Sequence, residues 1–272
     1  MICGLIIFGI KLEAYLISNS VALLSDALES IVNIAASGLM LFAVHVSEKP
    51  ADPTHNYGHQ KIEEISSMLE GIAILASAFL IAYAAAGRLS VSVELKGLNA
   101  AIGISILATA LNAGLSWFLA RAAKRNGSAA LEGDARHLLS DVMSSVGVWV
   151  GLSIAQLTGW NSIDPVLAFV VAALIGRMGI GLVLKSSHNL MDRSCKEEEK
   201  MKEILLHHRS RFIDFHDLRT RRSGSRVFSE FHLSVDGSLS VEDAHGLTDH
   251  LEEELREELP DISLTIHVEP KK

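Results

Sequence analysis

The chain has 272 residues, 49% of them hydrophobic, with a formal net charge of −8 and a mean hydropathy of +0.31. This composition is too apolar for an ordinary soluble domain and indicates a membrane protein with a polar appendage. Most acidic residues and most histidines follow residue 191, which argues against nucleic acid as a partner because phosphate binding requires a basic surface. The two cysteines, Cys3 and Cys195, are too few for a disulfide framework or a cysteine zinc site.

Six apolar segments succeed one another along residues 1–191, each close to the roughly 20 residues that a helix needs to span a bilayer. We predict helices over about 1–18, 21–46, 65–87, 98–120, 129–158 and 164–184. One set of loops carries most of the lysine and arginine, whereas the opposite set carries only Arg88 and Lys96. Because basic loops face the cytoplasm, we expect a multi-pass protein of the inner (cytoplasmic) cell membrane with both termini inside.

Residues 192–272 are predicted to form a separate, small α/β domain in the cytosol. The predicted elements are a polar helix over 197–209, strands over 212–221 and 226–235, an acidic helix over 240–259 and a strand over 262–268. Gly224 lies in a turn signal between the first two strands. Ser240 and Asp243 resemble a capping pair at the start of the acidic helix.

Two matched pairs of polar residues lie inside predicted spans. Glu29 and Asn33 are four residues apart in the second span, and His137 and Asp141 are four apart in the fifth. This spacing places each pair on one helix face, so two facing helices offer four ligands to one tetrahedral ion. A single polar residue in a span often caps a helix or lines an interface, but two matched pairs favour a metal transport site. Asp26, one turn earlier, is predicted to have a helix-end or interfacial role.

Two further groups of candidate ligands lie outside the spans. Asp52, His55 and His59 stand close together in the loop after the second span, and one carboxylate with two imidazoles can wrap a single ion. In the tail, a compact domain could gather five candidate ligands at one edge: His216, His232, His245, His267 and Glu269. The remaining tail histidines, His207, His208 and His250, are predicted to be solvated surface residues.

Several motifs occur in the order and spacing typical of one family. They are Ser25-Asp26-Ala27-Leu28-Glu29, Pro50-Ala51-Asp52 with Tyr57-Gly58-His59, His137-Leu138-Leu139-Ser140-Asp141, and His216-Asp217-Leu218-Arg219-Thr220-Arg221. Together they resemble the cation diffusion facilitator family, and the resemblance is closest to its bacterial zinc/iron efflux branch. The resemblance covers nearly the whole chain.

The resemblance implies six transmembrane helices, a ferredoxin-like cytosolic domain, a homodimer, and exchange of cytosolic metal for protons. It places the transport site on Glu29, Asn33, His137 and Asp141, and a second site on Asp52, His55 and His59. It also implies a binuclear site at the cytosolic dimer interface on His216, His232, His245, His267 and Glu269. Lys61 and Asp192 match a pair that forms a salt bridge near the dimer contact.

Three residues depart from the family pattern. Glu29 replaces the usual Asp or His, Asn33 replaces the usual Asp, and Glu269 replaces a common Asp. An amide cannot take up a proton, so the metal and the proton count are both open: zinc is the default, with iron, manganese, cobalt, nickel or cadmium as alternatives.

Two other functions compete with a divalent metal/proton antiporter. An intramembrane metal-dependent hydrolase usually carries a His-Glu-x-x-His helix, which the sequence lacks, so we expect no enzyme. A membrane-bound metal sensor would not need matched polar pairs inside two spans. Zinc is expected both as substrate and as a structural or regulatory ligand, with the lipid bilayer, a second copy of the chain and protons as partners.

Overall fold

Six long helices precede a small sheet domain in the computed structural model, which describes residues 2–90, 96–126, 129–160, 162–224 and 226–271. Within these ranges, the side chains of residues 90, 123, 126, 129–134 and 136 lie outside the description. The helices are α1 (Ile2–Ser18), α2 (Val21–Ser47), α3 (Ile62–Ser90), α4 (Leu98–Asn126), α5 (Ala129–Thr158) and α6 (Ile163–Leu190).

The length and composition of these helices fit a membrane domain. Helices α2 to α6 are each long and apolar enough to cross a bilayer, and α1 adds 17 residues of similar apolar character. The predicted six-helix membrane fold is therefore confirmed. Helices α3, α4 and α6 extend beyond their predicted segments, because hydropathy marks only the part of a helix that suits hydrocarbon, and their polar ends remain helical.

Contacts divide the chain into two compact units. The first contains Met1–Phe42 and Ser66–Val183, and the second contains Ala43–Ile65 and Leu184–Lys272. The end of α2, the start of α3 and the end of α6 thus belong to the same unit as the tail. In the first unit, alanines such as Ala14, Ala101 and Ala168 are fully buried, since small side chains let helices approach closely.

A carboxylate from α6 caps the start of α2. Asp164, which is buried, accepts hydrogen bonds from the backbone N–H groups of Val21 at 3.0 Å and Ala22 at 3.1 Å, and from the hydroxyl of Ser20. These backbone donors have no partner inside their own helix, and a negative charge at a helix N-terminus is favourable. The first turns of α2 and α6 are therefore joined by a buried polar contact.

The tail has the order α7 (Glu197–His207), β1 (Asp214–Ser223), β2 (Arg226–Val235), α8 (Val241–Glu258) and β3 (Ile262–Pro270). Strand β1 pairs antiparallel with β2, and β2 pairs parallel with β3. This is the ferredoxin-like β-α-β-β-α-β pattern without its first strand among the described residues. In the complete pattern, the first strand lies between the two parallel strands. Because the described residues do not include that strand, β2 and β3 pair directly. The predicted ferredoxin-like fold is confirmed.

The two faces of the tail sheet differ in chemistry. Phe231 and Leu233 of β2 are fully buried in a core shared with Leu205 of α7 and Leu251 of α8. Because strand side chains alternate, His232 lies on the opposite face, away from the helices. The start of α8 is capped as predicted, since the Ser240 hydroxyl accepts a hydrogen bond from the backbone N–H of Asp243.

Candidate metal sites

Three of the four predicted transport residues line a small cavity in the membrane domain, and the fourth is hydrogen-bonded to one of them. Glu29, Asn33 and His137 line a cavity of ≈ 20 Å³, which is about the space that one water molecule needs. Asn33 Nδ2 donates a hydrogen bond of 3.0 Å to Asp141 Oδ2, and Asp141 is buried. Apolar and hydroxyl side chains of α2, α3 and α6 complete the lining: Val32, Ile74, Ser77, Ile175 and Met178.

One atom of this cluster lacks a partner among the described residues. Glu29 Oε2 is buried and makes no hydrogen bond there, which is costly for a carboxylate oxygen at membrane depth. The ligand atoms of the other clusters described below lie within 4.8 Å of one another. This is not so for the carboxylates of Glu29 and Asp141 and the imidazole of His137. Three of the four residues line one cavity, and Asp141 reaches it through its hydrogen bond to Asn33.

A buried ion pair stands next to this cluster and was missed by the sequence reasoning. Lys11 Nζ of α1 lies 2.7 Å from Asp26 Oδ1 of α2, and the two side chains are 1% and 3% exposed. Ser145 Oγ of α5 donates to the same oxygen at 2.8 Å. The network joins three helices, so Asp26 pairs between helices. The available signal was the single lysine in the middle of the first apolar segment.

The loop after α2 gathers its three predicted ligands. Asp52 Oδ1 lies 3.4 Å from His55 Nδ1, and Asp52 Oδ2 lies 3.5 Å from His59 Nε2. The Asp52 carboxylate accepts hydrogen bonds from the Thr54 hydroxyl and from the backbone N–H groups of His55 and Thr54. These bonds, with that of the Thr54 hydroxyl as the largest cause, hold the pKa of Asp52 well below its usual range. The loop therefore presents an ionised carboxylate and two imidazoles within 4.8 Å of one another.

A row of histidines crosses the tail sheet on its helix-free face. His216 of β1 is the register partner of His232 of β2, which in turn is the partner of His267 of β3. Glu269 completes the strand cluster: its Oε1 lies 3.3 Å from His216 Nε2 and its Oε2 lies 3.6 Å from His232 Nδ1. Asp217 also approaches His216 and His232. The sequence reasoning missed Asp217, although it follows His216 directly and occupies a bulge with a φ of 53°.

His245 does not join the strand cluster within one chain. Its side chain is 74% exposed and lies 3.6 Å from Asp249, one turn further along α8. The sheet therefore collects four of the five predicted tail ligands, and the fifth faces outward from a helix.

Two other predictions for the second unit can be compared with the structure. Lys61 Nζ lies 2.8 Å from Asp192 Oδ1, so the predicted pair is formed within a single chain. The expectation that His208 is solvated is wrong, because its side chain is only 11% exposed and its Nε2 lies 2.6 Å from Glu254 Oε2. This contact from His208 holds the pKa of the Glu254 carboxyl below its usual value. His207 is exposed, as predicted.

Two family models together match nearly the whole chain. The family model for the cation efflux transmembrane domain matches residues 1–191, and the model for the cation efflux protein cytoplasmic domain matches residues 194–271. A transporter of Synechocystis sp., sll1263, is 39% identical over 264 residues, which cover 96% of this chain and 85% of that protein. The cation-efflux pump FieF of Shewanella oneidensis is 31% identical over 268 residues, which cover 98% of this chain and 90% of that protein.

Solved structures resemble the tail. The zinc form of CzrB is 44% identical and covers 29% of this chain and 93% of its own, with a TM-score of 0.29. The metal-bound C-terminal domain of the CzcD transporter from Thermotoga maritima is 38% identical and covers 28% of this chain and 93% of its own, with a TM-score of 0.25.

Proposed function

The chain belongs to the cation efflux family, also called cation diffusion facilitators, and is a divalent cation efflux transporter with a cytoplasmic C-terminal domain; we propose that it exports a transition metal, zinc by default, in exchange for protons. The observation that carries the proposal is the cavity in the membrane domain that Glu29, Asn33 and His137 line, with Asp141 hydrogen-bonded to Asn33. We assign the four residues as the transport site.

Competition between metal and protons would drive the exchange. A metal ion binds deprotonated carboxylates and neutral imidazole, so Glu29, His137 and Asp141 can each hold either a proton or a share of the metal. Asn33 contributes only its carbonyl oxygen, because an amide does not titrate. On the cytoplasmic side the site would load metal and release protons, and on the outer side protons would displace the metal. A change of access around this central site follows the pattern of other secondary transporters.

The ligand types support a divalent metal that accepts oxygen and nitrogen ligands. Two carboxylates, one amide and one imidazole offer oxygen and nitrogen but no sulfur, which suits zinc and also accommodates iron, manganese, cobalt, nickel or cadmium. Zinc is accordingly the metal that we assign first, both as the substrate and as a ligand of the tail.

We further propose that the tail is a metal-dependent clamp in a homodimer, with residues 1–191 as the membrane domain and 192–272 as the cytosolic domain. The strand cluster holds four ligands in one chain, whereas His245 is exposed and lies outside that cluster. His245 of one chain would then complete metal coordination at the dimer contact, with Lys61 and Asp192 stabilising the chain nearby. The loop residues Asp52, His55 and His59 would bind a separate ion.

Transport can be tested in proteoliposomes loaded with a zinc-sensitive dye. We expect zinc uptake to depend on an imposed pH gradient and to fall to the level of empty liposomes in His137→Ala and Asp141→Asn. Ser144→Ala is a matched control on the same helix, because the Ser144 hydroxyl donates its hydrogen bond to the backbone oxygen of Asp141 and not to its carboxylate. Uptake that ignores the pH gradient would refute proton exchange, and normal uptake by both site variants would refute the assigned site.

The choice of metal can be tested at residue 33, where this chain has Asn in place of the Asp that is usual in the family pattern. Asn33→Asp adds a third titratable carboxylate to the site, so we expect a changed ratio of zinc to manganese and iron uptake and a changed number of protons per metal. The matched control is Ser37→Ala, since Ser37 lies one turn further along α2 and bonds to the backbone oxygen of Asn33. Identical selectivity and proton count in wild type and Asn33→Asp would show that residue 33 does not contact the ion.

A further inference from the structure

A cluster of ligating side chains lies between the two tail helices, apart from the three sites described above. His208 directly follows the last residue of α7, and His250 and Glu254 occupy one face of α8 at a spacing of four. Glu254 stands between the two imidazoles: its Oε2 lies 2.6 Å from His208 Nε2 and its Oε1 lies 3.4 Å from His250 Nε2. We call these three residues the α7–α8 cluster.

The burial of the α7–α8 cluster is unusual for surface histidines. The side chains of His208, His250 and Glu254 are 11%, 33% and 38% exposed. His250 Nε2 is itself buried and has no hydrogen-bond partner among the described residues, although it faces Glu254. A buried ring nitrogen without a hydrogen bond costs free energy, so the cluster has an unused ligand atom directed at a carboxylate.

The positions of the ligand atoms fit a divalent metal ion. One atom from each residue lies within 4.8 Å of the other two. Ligand atoms bound to tetrahedral zinc at about 2.0–2.2 Å stand about 3.4 Å apart, so only small side-chain movements separate the observed arrangement from coordination. Two imidazoles and a carboxylate are a common set of three protein ligands for zinc, with a water molecule in the fourth position.

The α7–α8 cluster belongs to a different face of the tail from the strand cluster. Leu205 and Leu251, on the same two helices, pack with Phe231 in the core on the helix side of the sheet. His232 alternates with Phe231 along β2 and therefore lies on the opposite face. The two clusters share no residue, and all ligands of the α7–α8 cluster come from one chain.

We propose that His208, His250 and Glu254 form a further metal site, for zinc or a similar divalent transition metal, that joins the end of α7 to α8. Bound metal would replace the proton that His208 Nε2 shares with Glu254 and would give His250 Nε2 its missing partner. Because every protein ligand is supplied within one chain, this site loads without a second copy. The proposal does not depend on the transport site, and metal binding alone can test it.

The first experiment counts zinc on the full-length protein in detergent. After dialysis against a fixed concentration of free zinc, we expect Glu254→Gln to hold one zinc ion fewer per chain than wild type by mass spectrometry of the metal. Gln keeps the length of the side chain and can still accept the hydrogen bond from His208. The matched control is His188→Ala, which removes an imidazole that contacts Arg193 and lies outside all the clusters, and it should keep the full zinc count.

A second measurement reads the site at His250 itself, first in wild type and then in the variant. Diethylpyrocarbonate modifies free imidazole nitrogens, and peptide mapping reports the rate at each histidine. We expect zinc to slow the modification of His250 in wild type but not in Glu254→Gln, while exposed His207 reacts equally with and without zinc. An unchanged rate at His250 together with an unchanged zinc count in Glu254→Gln would overturn the proposal and leave a purely structural hydrogen-bond network.

Discussion

Replacing Lys11 with Met should destabilise the membrane domain strongly, because it leaves the Asp26 carboxyl buried without its partner. The ammonium and the carboxylate are 2.7 Å apart and almost fully buried. At an effective dielectric constant of about 20, their attraction is about 6 kcal/mol, and much of it offsets the loss of hydration. Removing one member of such a pair costs about 3–5 kcal/mol. With an unfolding entropy of about 2.1 cal/mol/K per residue, this corresponds to a fall in Tm of at least about 5 °C.

The assay is thermal unfolding of the purified protein in detergent, with a double-variant comparison. Lys11→Met combined with Asp26→Asn removes both charges and keeps an acceptor for the Ser145 hydroxyl, so its Tm should return most of the way to that of wild type. Glu13→Gln, which changes an exposed charge on the same helix, serves as the control and should leave the Tm nearly unchanged. The reasoning is refuted if Lys11→Met unfolds together with wild type, or if the double variant is less stable than Lys11→Met.

Three further predictions concern the loop, the helix contacts and the tail core. In Thr54→Val, the pKa of Asp52 should rise toward the ordinary value of about 3.9, because the Thr54 hydroxyl is the largest cause of its depression. In wild type, the ionised Asp52 carboxylate stabilises the loop fully above the ordinary pKa, and this stabilisation is lost as the pH falls through the lowered pKa of the folded protein. Because Thr54→Val raises the pKa of Asp52 in the folded protein, the variant should lose the loop structure at a higher pH than wild type. An unchanged titration of the Asp52 carboxyl by NMR would contradict this. Gly71→Ala should cost about 1–3 kcal/mol of stability, because its Cβ would lie 2.7 Å from a valine side chain of α6. Gly87→Ala, with nothing within 4 Å, should be nearly neutral, and equal melting temperatures for the two variants would argue against a close α3–α6 contact. Phe231→Ala should lower the free energy of unfolding by about 3–5 kcal/mol, since Phe231 is fully buried; a loss below about 1 kcal/mol in denaturant unfolding would show that the tail core is packed differently.

Hydropathy and periodicity were sufficient for the elements of the fold. The fifth helix and the second strand have the predicted ends, Ala129–Thr158 and Arg226–Val235, because polar or turn residues flank both. The pairing of β2 with β3 was not predicted, since alternation along a strand marks its two faces but not its neighbours. The extension of α6 to Leu190 was missed because a helix that leaves hydrocarbon does not have to end.

For the candidate sites too, local arrangement could be predicted from the sequence, whereas contacts between distant elements could not. Local spacing predicted that the three loop residues lie close together, as they do, and it placed each pair of α2 and α5 on one helix face; the assignment of these residues as metal ligands stays a prediction. Contacts between distant elements were not readable: Lys11 with Asp26, and His208 with Glu254, are joined by helix packing alone. For the same reason, the sequence could not separate His245, which faces away from the sheet, from the histidines that lie across it.

The cap that Asp164 places on α2 ties the start of this helix to α6. Glu29 and Asn33 both lie further along the same helix, and Asn33 is about 18 Å from Val21 at 1.5 Å per residue. If the capped end stays in place, a tilt of α2 by about 10° moves Asn33 by about 3 Å, which exceeds a metal–ligand bond of about 2 Å. In an exchange that tilts α2 about its capped end, a small angle would therefore be enough to assemble or break coordination at Asn33.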